Sequence, residues 1–423
     1  MYTYNVGVIG LGRVGLPLAL MFANQGLKVI GFDINMDLIN QIQNKIMPFN
    51  EPGFADILRK VDFYSTSNMN YLNSVQHIII TVGTPLLSHI ETDLSQINKV
   101  LDEIISRLKP GQNIILRSTV SPNTTEYVRK RIENETSYIV GSDVFLSFCP
   151  ERIAEGKAYS ELKTLPQIIG ANDEYSYMKA HELFEVLSED ILKTDYLSAE
   201  LVKLFNNISR YIQFAVSNQF ALISQSLGAN VYDIIEMANY KYPRGMIAKP
   251  GLTAGTCLRK DFGMINETIP YTDLLLAAWK INEYIPKFLV EISQNNESLF
   301  KKNVAILGYT FKSEADDIRD SLVPKLYRYI TRQVPNKVVI HEPYLGERIE
   351  DFANNISVIN VGLEEAIADA DVIFIAINHK VFLNLKNIMV NHAKDDQVHI
   401  IDIWNTMAMN RVDFLISDLN DKR

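Results

Sequence analysis

The sequence predicts an α/β protein in which two doubly wound domains are joined by a central helical region built on one long helix. Three observations predict it. From the N-terminus, apolar runs of strand length alternate with amphipathic helical runs, the grammar of βαβ units and a parallel sheet. The stretch Ser198–Leu227 then keeps helical periodicity with no Gly or Pro, and strand–helix alternation resumes at Asn303. A chain of 423 residues also exceeds what one hydrophobic core usually supports. The expected domains are residues 1–197, 198–294 and 303–423.

In chain order, Asn5–Ile9 and Lys28–Asp33 read as strands, with Leu16–Asn24 and Met36–Asn44 as the helices that follow them. His77–Val82, Asn113–Ser118, Val144–Phe148 and Gln167–Gly170 extend the sheet, and Leu94–Leu108 is one of the intervening helices. Ser198 and Glu200 mark the start of the long helix. A helix of ~30 residues spans ~45 Å, a length that suits a spine between domains and a homodimer interface. Thr272–Ser293 is a second helical run, and the polar stretch Gln294–Lys302 is a linker. The last domain has strands at Val304–Leu307, Val338–His341, Val372–Ala376 and His399–Ile403, with helices at Val323–Ile330 and Leu363–Ala370.

Composition excludes several function classes. A formal charge of −9 offers no basic field for a nucleic-acid backbone or an anionic membrane, and an anionic substrate needs local positive charge. No apolar run is long enough to span a bilayer and no signal segment is legible, so a cytoplasmic protein is expected. The two cysteines, Cys149 and Cys257, exclude a disulfide framework and a CxxC metal site. The seven histidines are scattered without an HxxxH or HxH pair, and no metal is expected.

Gly10, Gly12 and Gly15 form GxGxxG directly after a strand and at the opening of a helix, with Val14 inside the turn. Gly10 permits the tight turn, Gly12 lets the backbone approach a pyrophosphate, and Gly15 permits close helix–strand packing. The helix N-terminus supplies amide donors and the positive end of the dipole. Asp33 ends the next strand, where an acid accepts hydrogen bonds from the adenosine ribose. Its charge repels a 2′-phosphate, and no Arg follows in Ile34–Asn40. The domain is therefore Rossmann-like and the expected cofactor is NAD rather than NADP. Thr84, and Thr119 in Ser118–Thr119, lie at the C-terminal ends of strands, where α/β sheets place ligands.

Four segments are chemically loaded: Arg117-Ser-Thr-Val120, Cys149-Pro-Glu-Arg-Ile-Ala-Glu155, Glu200-Leu-Val-Lys-Leu-Phe-Asn-Asn207 and Gly255-Thr-Cys-Leu-Arg-Lys-Asp261. Lys203 and Asn207 are i, i+4 and project from one helix face, so a cation and an amide stand side by side where they can bind an oxyanion. Cys257 follows a Gly-containing loop and precedes a helix, a placement that lowers a thiol's pKa through helix-terminal amides and through Lys260 or Lys203. Asp261 lies one helical turn beyond it. Cys149 ends an apolar run and reads as a structural, buried thiol.

Taken together, these segments resemble the nucleotide-sugar 6-dehydrogenases, which include the UDP-glucose, UDP-N-acetylhexosamine and GDP-mannose enzymes, and the resemblance covers essentially the whole chain. It implies NAD-dependent four-electron oxidation of a sugar C6 alcohol to the carboxylate, in the supply of surface-polysaccharide precursors. Cys257 is the implied nucleophile, through a thiohemiacetal and a thioester, and Lys203 the base or oxyanion stabiliser with Asn207 as its companion. Asp261 orients a water or Lys203, while Glu151 with Thr119 handles the hydrolytic water. Glu155 belongs to a loop that faces the substrate and also lies among the cofactor contacts.

Gly308-Tyr-Thr-Phe-Lys312 and Asp316-Asp-Ile-Arg319-Asp-Ser321 resemble the family's diphosphate-binding segment, with Lys312 and Arg319 supplying charge. Arg244 in the loop Tyr242-Pro-Arg-Gly and Gly255 complete the implied substrate contacts. Where the family usually shows Gly-Gly before the nucleophile, this chain has Ala254-Gly255, and its Tyr242 loop is shorter and less polar than in the UDP-glucose enzymes. The Cys-Pro-Glu-Arg run resembles the UDP-N-acetylhexosamine members. Two other readings share features. A single-step hydroxyacid dehydrogenase of the 6-phosphogluconate or 3-hydroxyisobutyrate type has a KxxxN helix but needs no cysteine, and an NAD-binding redox sensor acting through Cys257 has no use for Lys203, Asn207 and the Glu151 loop together.

Overall fold

The computed structural model describes residues 2–85, 92–253, 256–269, 271–296 and 298–420, with the backbone alone for Thr256, Cys257, Leu258, Arg259, Thr268, Asn296 and Asn420. The chain groups into two compact units, Met1–Asn207 with Lys260–Tyr271, and Ile208–Arg259 with Thr272–Arg423.

The first unit is built on one eight-stranded sheet. Its strands are β1 (Tyr4–Ile9), β2 (Val29–Phe32), β3 (Phe63–Thr66), β4 (Val75–Ile80), β5 (Asn113–Leu116), β6 (Phe145–Phe148), β7 (Gln167–Gly170) and β8 (Ile191–Thr194). They lie in the order β3-β2-β1-β4-β5-β6-β7-β8, whose first six follow the doubly wound dinucleotide-binding arrangement. All pairs from β3 to β6 are parallel, whereas β7 is antiparallel to β6 and parallel to β8. Alternation explains how both faces are buried: Val6, Val8 and Ile79 join one core with helix α1 (Gly15–Asn24), while Ile9, Ile78 and Ile80 join the other with Ile97, Leu101 and Ile104. The expected helix Leu94–Leu108 is observed as Ser95–Ile105. Strands β3 and β8 were not expected. Each has four residues, and the two central residues of β8 are exposed, so neither shows the apolar run that marks the central strands.

The long helix α2 (Tyr196–Ser226) starts two residues before the expected Ser198. Asp195 caps it, accepting from the Ser198 amide at 2.9 Å and the Ser198 hydroxyl at 2.6 Å. Helix α3 (Thr256–Thr268) follows, and then α4 (Asp273–Asn296). The last turn of α4 reaches into the stretch expected to be linker, because Gln294–Asn296 stay helical.

The second unit carries a five-stranded sheet. Its members are β9 (Asn303–Leu307), β10 (Lys337–His341), β13 (Val372–Ile375), β14 (His399–Ile401) and β15 (Asp413–Leu415), with the hairpin β11 (Arg348–Asp351) and β12 (Ile356–Ile359) beside it. The order is β10-β9-β13-β14-β15, parallel except for β15. The hairpin and β15 were not expected from the pattern. Ala221, Val231 and Leu252 share one core with Val304, Phe374 and Ile403, so the later part of α2, α4 and this sheet fold as one body.

Two fully buried amides bind this body together. Asn218 on α2 donates to Asn282 on α4 at 2.8 Å and accepts from the Gly251 amide at 2.9 Å, while Asn282 donates to the Tyr211 carbonyl at 3.3 Å. Asn282→Ala leaves the Asn218 amide without its acceptor in a dry interior. It should cost roughly 1–3 kcal/mol, read as a lowered urea midpoint at unchanged slope, and an unaltered midpoint would refute the network's role.

Candidate active site

The glycine loop sits at the carboxyl end of β1. Gly10 holds φ +92°, and its amide donates to the Phe32 carbonyl at 2.8 Å. A Cβ at Gly15 would run into the Gly10 carbonyl oxygen and the Thr81 hydroxyl, so this glycine is required by packing of α1 on the sheet. A Cβ at Gly12 meets no atom within 4 Å. The protein itself therefore makes no demand for glycine there, and the space is open to a ligand. Val14 precedes α1 as its N-cap without a side-chain cap, and no acidic residue lies in the helix's first turn, an arrangement suited to an anion. Asp33 closes the site: Oδ2 accepts from the Leu11 amide at 2.7 Å and Oδ1 from the Asn35 amide at 2.9 Å. Each oxygen keeps a lone pair for a ribose hydroxyl. The loop thus fits a dinucleotide.

The two threonines singled out in the sequence are joined. Thr84 donates to the Thr119 carbonyl at 2.5 Å, and Ser118 donates to the Val82 carbonyl at 2.7 Å, which ties the turns after β4 and β5 together. Lys260 on α3 reaches the same point and donates to the Thr84 hydroxyl at 3.0 Å. Glu267, two turns further on, accepts from the Thr92 amide and hydroxyl, both at 2.9 Å. Neither contact was anticipated. Lys260 stood next to Asp261 in a loaded segment, but its partner lies 176 residues away.

The buried Lys203 and Asp261 come together with the half-buried Asn207. Asn207 donates to Asp261 Oδ2 at 2.5 Å. Asp261 is fully buried and its Oδ1 has no hydrogen-bond partner among the described residues. Burial pushes the Asp261 carboxyl above its ordinary value, against the opposing charges of Lys260 and Lys203 and the bond from Asn207. Lys203 is 8% exposed. A buried carboxylate, an amide and two lysine side chains form a low-dielectric cluster able to hold or move a proton.

The turn after β6 is held by carboxylates. Glu151 accepts at Oε2 from Arg117 Nε (2.9 Å) and Nη2 (2.6 Å), and at Oε1 from the Arg152 and Ile153 amides (2.8 and 2.9 Å). Both partners of this ion pair are buried. Those four donors fill the carboxylate's acceptor positions, so Glu151 clamps the turn, and a water would have to displace one of them. Glu161 accepts from the Ala154 amide at 2.6 Å, and the buried Glu51 from the Gly156 and Ala158 amides at 2.8 and 2.9 Å. Glu155 pairs with Arg13 of the glycine loop, whose guanidinium also lies over the Phe49 ring. An arginine inside GxGxxG is a visible signal; Glu51 carried none. Cys149 is buried and its thiol is pushed up to about 12 by desolvation, as suits a structural residue.

In the second unit, Arg244 is exposed and bonds the Tyr242 hydroxyl at 3.0 and 3.1 Å. Arg319 is engaged by Asp317, with Nε at 2.9 and 3.0 Å and Nη2 at 2.6 Å, which offsets part of its charge. Lys312 lies near the Phe311 ring. Cys257 is the second residue of α3, within rather than before the helix, and its side chain lies outside the described residues. Gly255 lies outside them as well. Among the described residues no group of His, Cys, Asp or Glu is placed to hold a metal ion.

Comparison with known proteins adds three family matches in register with this geometry. The UDP-glucose/GDP-mannose dehydrogenase family's NAD-binding domain matches residues 4–188, its central domain 197–284 and its UDP-binding domain 305–409. A UDP-N-acetyl-D-mannosamine dehydrogenase of Pyrococcus horikoshii is 32% identical over 97% of this chain and 98% of its own. An NDP-N-acetyl-D-galactosaminuronic acid dehydrogenase of Ralstonia solanacearum is 28% identical over 90% and 92%. The solved structure of UDP-D-ManNAc dehydrogenase from Pyrococcus horikoshii superposes with a TM-score of 0.84 at 30% identity, covering 93% of this chain and 94% of that one.

The cofactor is NAD, and Asp33 is the group expected to select it. Asp33→Ala should weaken NAD binding roughly tenfold and narrow the preference over NADP, measured by cofactor titration in the absence of sugar. An unchanged preference would remove Asp33 from that role.

Proposed function

The chain belongs to the UDP-glucose/GDP-mannose dehydrogenase family, and from that premise we propose that this NAD-dependent oxidoreductase converts the C6 alcohol of a UDP-N-acetylhexosamine to the carboxylate in two oxidations at Cys257. The relatives named above act on N-acetylated sugars, and the family's UDP-binding domain spans the segment that holds Lys312 and Arg319. The observation that carries the reading is the cluster of Lys203, Asn207 and the buried Asp261, since it gathers the residues the chemistry needs for its proton steps.

NAD supplies the hydride acceptor, one molecule for each oxidation. Lys203 takes the C6 hydroxyl proton as the alcohol becomes an aldehyde, and Asn207 orients the oxygen. The Cys257 thiolate adds to the aldehyde carbon to give a thiohemiacetal, whose loss of a second hydride and a proton leaves a thioester. Water held by Thr119 and Asp261 attacks the thioester carbon and releases the carboxylate and the thiol. Glu151 serves this step by holding the turn through Arg117, and Glu155 holds it against the glycine loop. Covalent capture keeps the reactive aldehyde from escaping. Lys312, Arg319, Arg244 and Gly255 are the residues assigned to binding the nucleotide sugar. The reaction belongs to the cytoplasm, in the supply of polysaccharide precursors.

Homodimerisation through α2 is part of the proposal. Val216, Phe220, Ile223 and Leu227 recur at helical spacing and are 38–76% exposed, an apolar stripe that a partner helix would cover. Sedimentation at micromolar concentration should give a dimer, and a monomer there would refute it.

The covalent step is tested by stoichiometry. Wild type should release two NADH per carboxylate with little free aldehyde, using UDP-N-acetylhexosamines in preference to UDP-glucose or GDP-mannose. Cys257→Ala should lose the second oxidation. Asp261→Asn should slow hydrolysis, so that a sugar-nucleotide adduct on Cys257 accumulates in the intact mass. Full two-NADH turnover by Cys257→Ala would overturn the mechanism.

A further inference from the structure

Helix Thr124–Glu135 begins after Asn123, which holds φ +70°, and has no capping side chain of its own. Its cap comes from 75 residues away. Glu200 of α2 accepts from the Asn123 amide at 2.7 Å, the Thr125 amide at 2.7 Å and the Thr125 hydroxyl at 2.6 Å. The carboxylate is 1% exposed. An anion at a helix N-terminus satisfies amides that would otherwise be stranded and meets the positive end of the dipole.

Both ends of this contact lead to the active site. Glu200 lies one turn before Lys203 and two before Asn207 on α2, and Asn207 bonds Asp261. Asn123 follows the turn Ser118–Ser121, where Thr119 accepts from Thr84 and the Ser121 hydroxyl meets that of Thr92 at 2.5 Å. The start of α2 is anchored independently, by its Asp195 cap, by the Tyr196 hydroxyl on the Leu146 carbonyl at 3.1 Å, and by Ala199 against Gly170. Packing contacts of the last kind tolerate small rotations of a helix. Three short bonds to one carboxylate are directional and do not.

We propose that Glu200 is a positioning residue: by capping helix Thr124–Glu135 from the long helix, it sets the Lys203–Asn207 face of α2 in register with the Thr119 turn. The inference rests on the assignment of Lys203 to the C6 proton. Burial raises the Glu200 carboxyl pKa against the three bonds that favour its ionised form, and at 1% exposure solvent does not compete for those bonds.

The test is the pre-steady-state rate constant of first NADH formation, which an unfolded fraction of enzyme does not lower, measured on the full chain with saturating NAD and sugar nucleotide. Glu200→Ala should reduce this constant by about 10- to 100-fold, the scale of an ångström's misplacement, with the KM values for both substrates within about twofold. Glu200→Gln, which keeps one acceptor and the shape, should recover part of the rate and decides the matter if the alanine variant does not fold. Asp195→Ala removes the helix's own cap and should lower Tm while leaving the rate constant unchanged. Wild-type rate constants in both Glu200 variants, whatever their Tm, would overturn the positioning role. Lys203→Ala separates the underlying assignment: loss there without loss in the Glu200 variants overturns the positioning alone, and no loss in Lys203→Ala overturns the base.

Discussion

The strands from β1 to β6 all run the same way, and that single constraint decides where chemistry can happen. A parallel sheet covered on both faces leaves its polar groups only at its edges. The carboxyl edge collects the glycine loop after β1, Asp33 after β2, Thr84 after β4, Ser118–Thr119 after β5 and Glu151 after β6. Residues scattered over some 140 positions therefore face one rim, without any of them having to be near another in sequence. The rest of the cofactor unit serves that rim: α1 packs close enough to need Gly15 bare, and α3 reaches it through Lys260 and Glu267.

Carboxylates do most of the fastening there. Glu51, Glu151, Glu161 and Glu200 each accept backbone amides of a loop or helix start, so acidic side chains hold the backbone while cations meet acids at Arg13, Arg117 and Lys203. The cost of burying Asp261 is offset in part by its amide and lysine neighbours rather than by solvent. Removing one neighbour would leave the others in an unbalanced field.

Local features of the site were legible in the sequence because each is set by spacing: three glycines at a strand end, an acid at the next strand end, a lysine and an asparagine one turn apart. The fold class was legible for the same reason, since β1, β4 and β9 each end in an apolar run. What spacing cannot encode is a contact made through the folded sheet. Arg13 with Glu155, Lys260 with Thr84, and Glu51 with Gly156 join segments more than 100 residues apart. Arg117 lies in a chemically loaded segment, yet nothing local identifies Glu151 as its partner. The strand β8 escaped notice because its two central residues are exposed and too few to form a pattern.

Gly251 has a use apart from catalysis. A Cβ there would overlap the Trp404 ring, and the ring's Nε1 donates to the Ala376 carbonyl at 2.8 Å. The indole is thus pinned at one end to the sheet and rests with its face on bare backbone, a few residues before the helix that carries Cys257. The chain has only one other tryptophan. Its emission colour and quenching are consequently an intrinsic optical gauge of that backbone segment, readable without label or substitution.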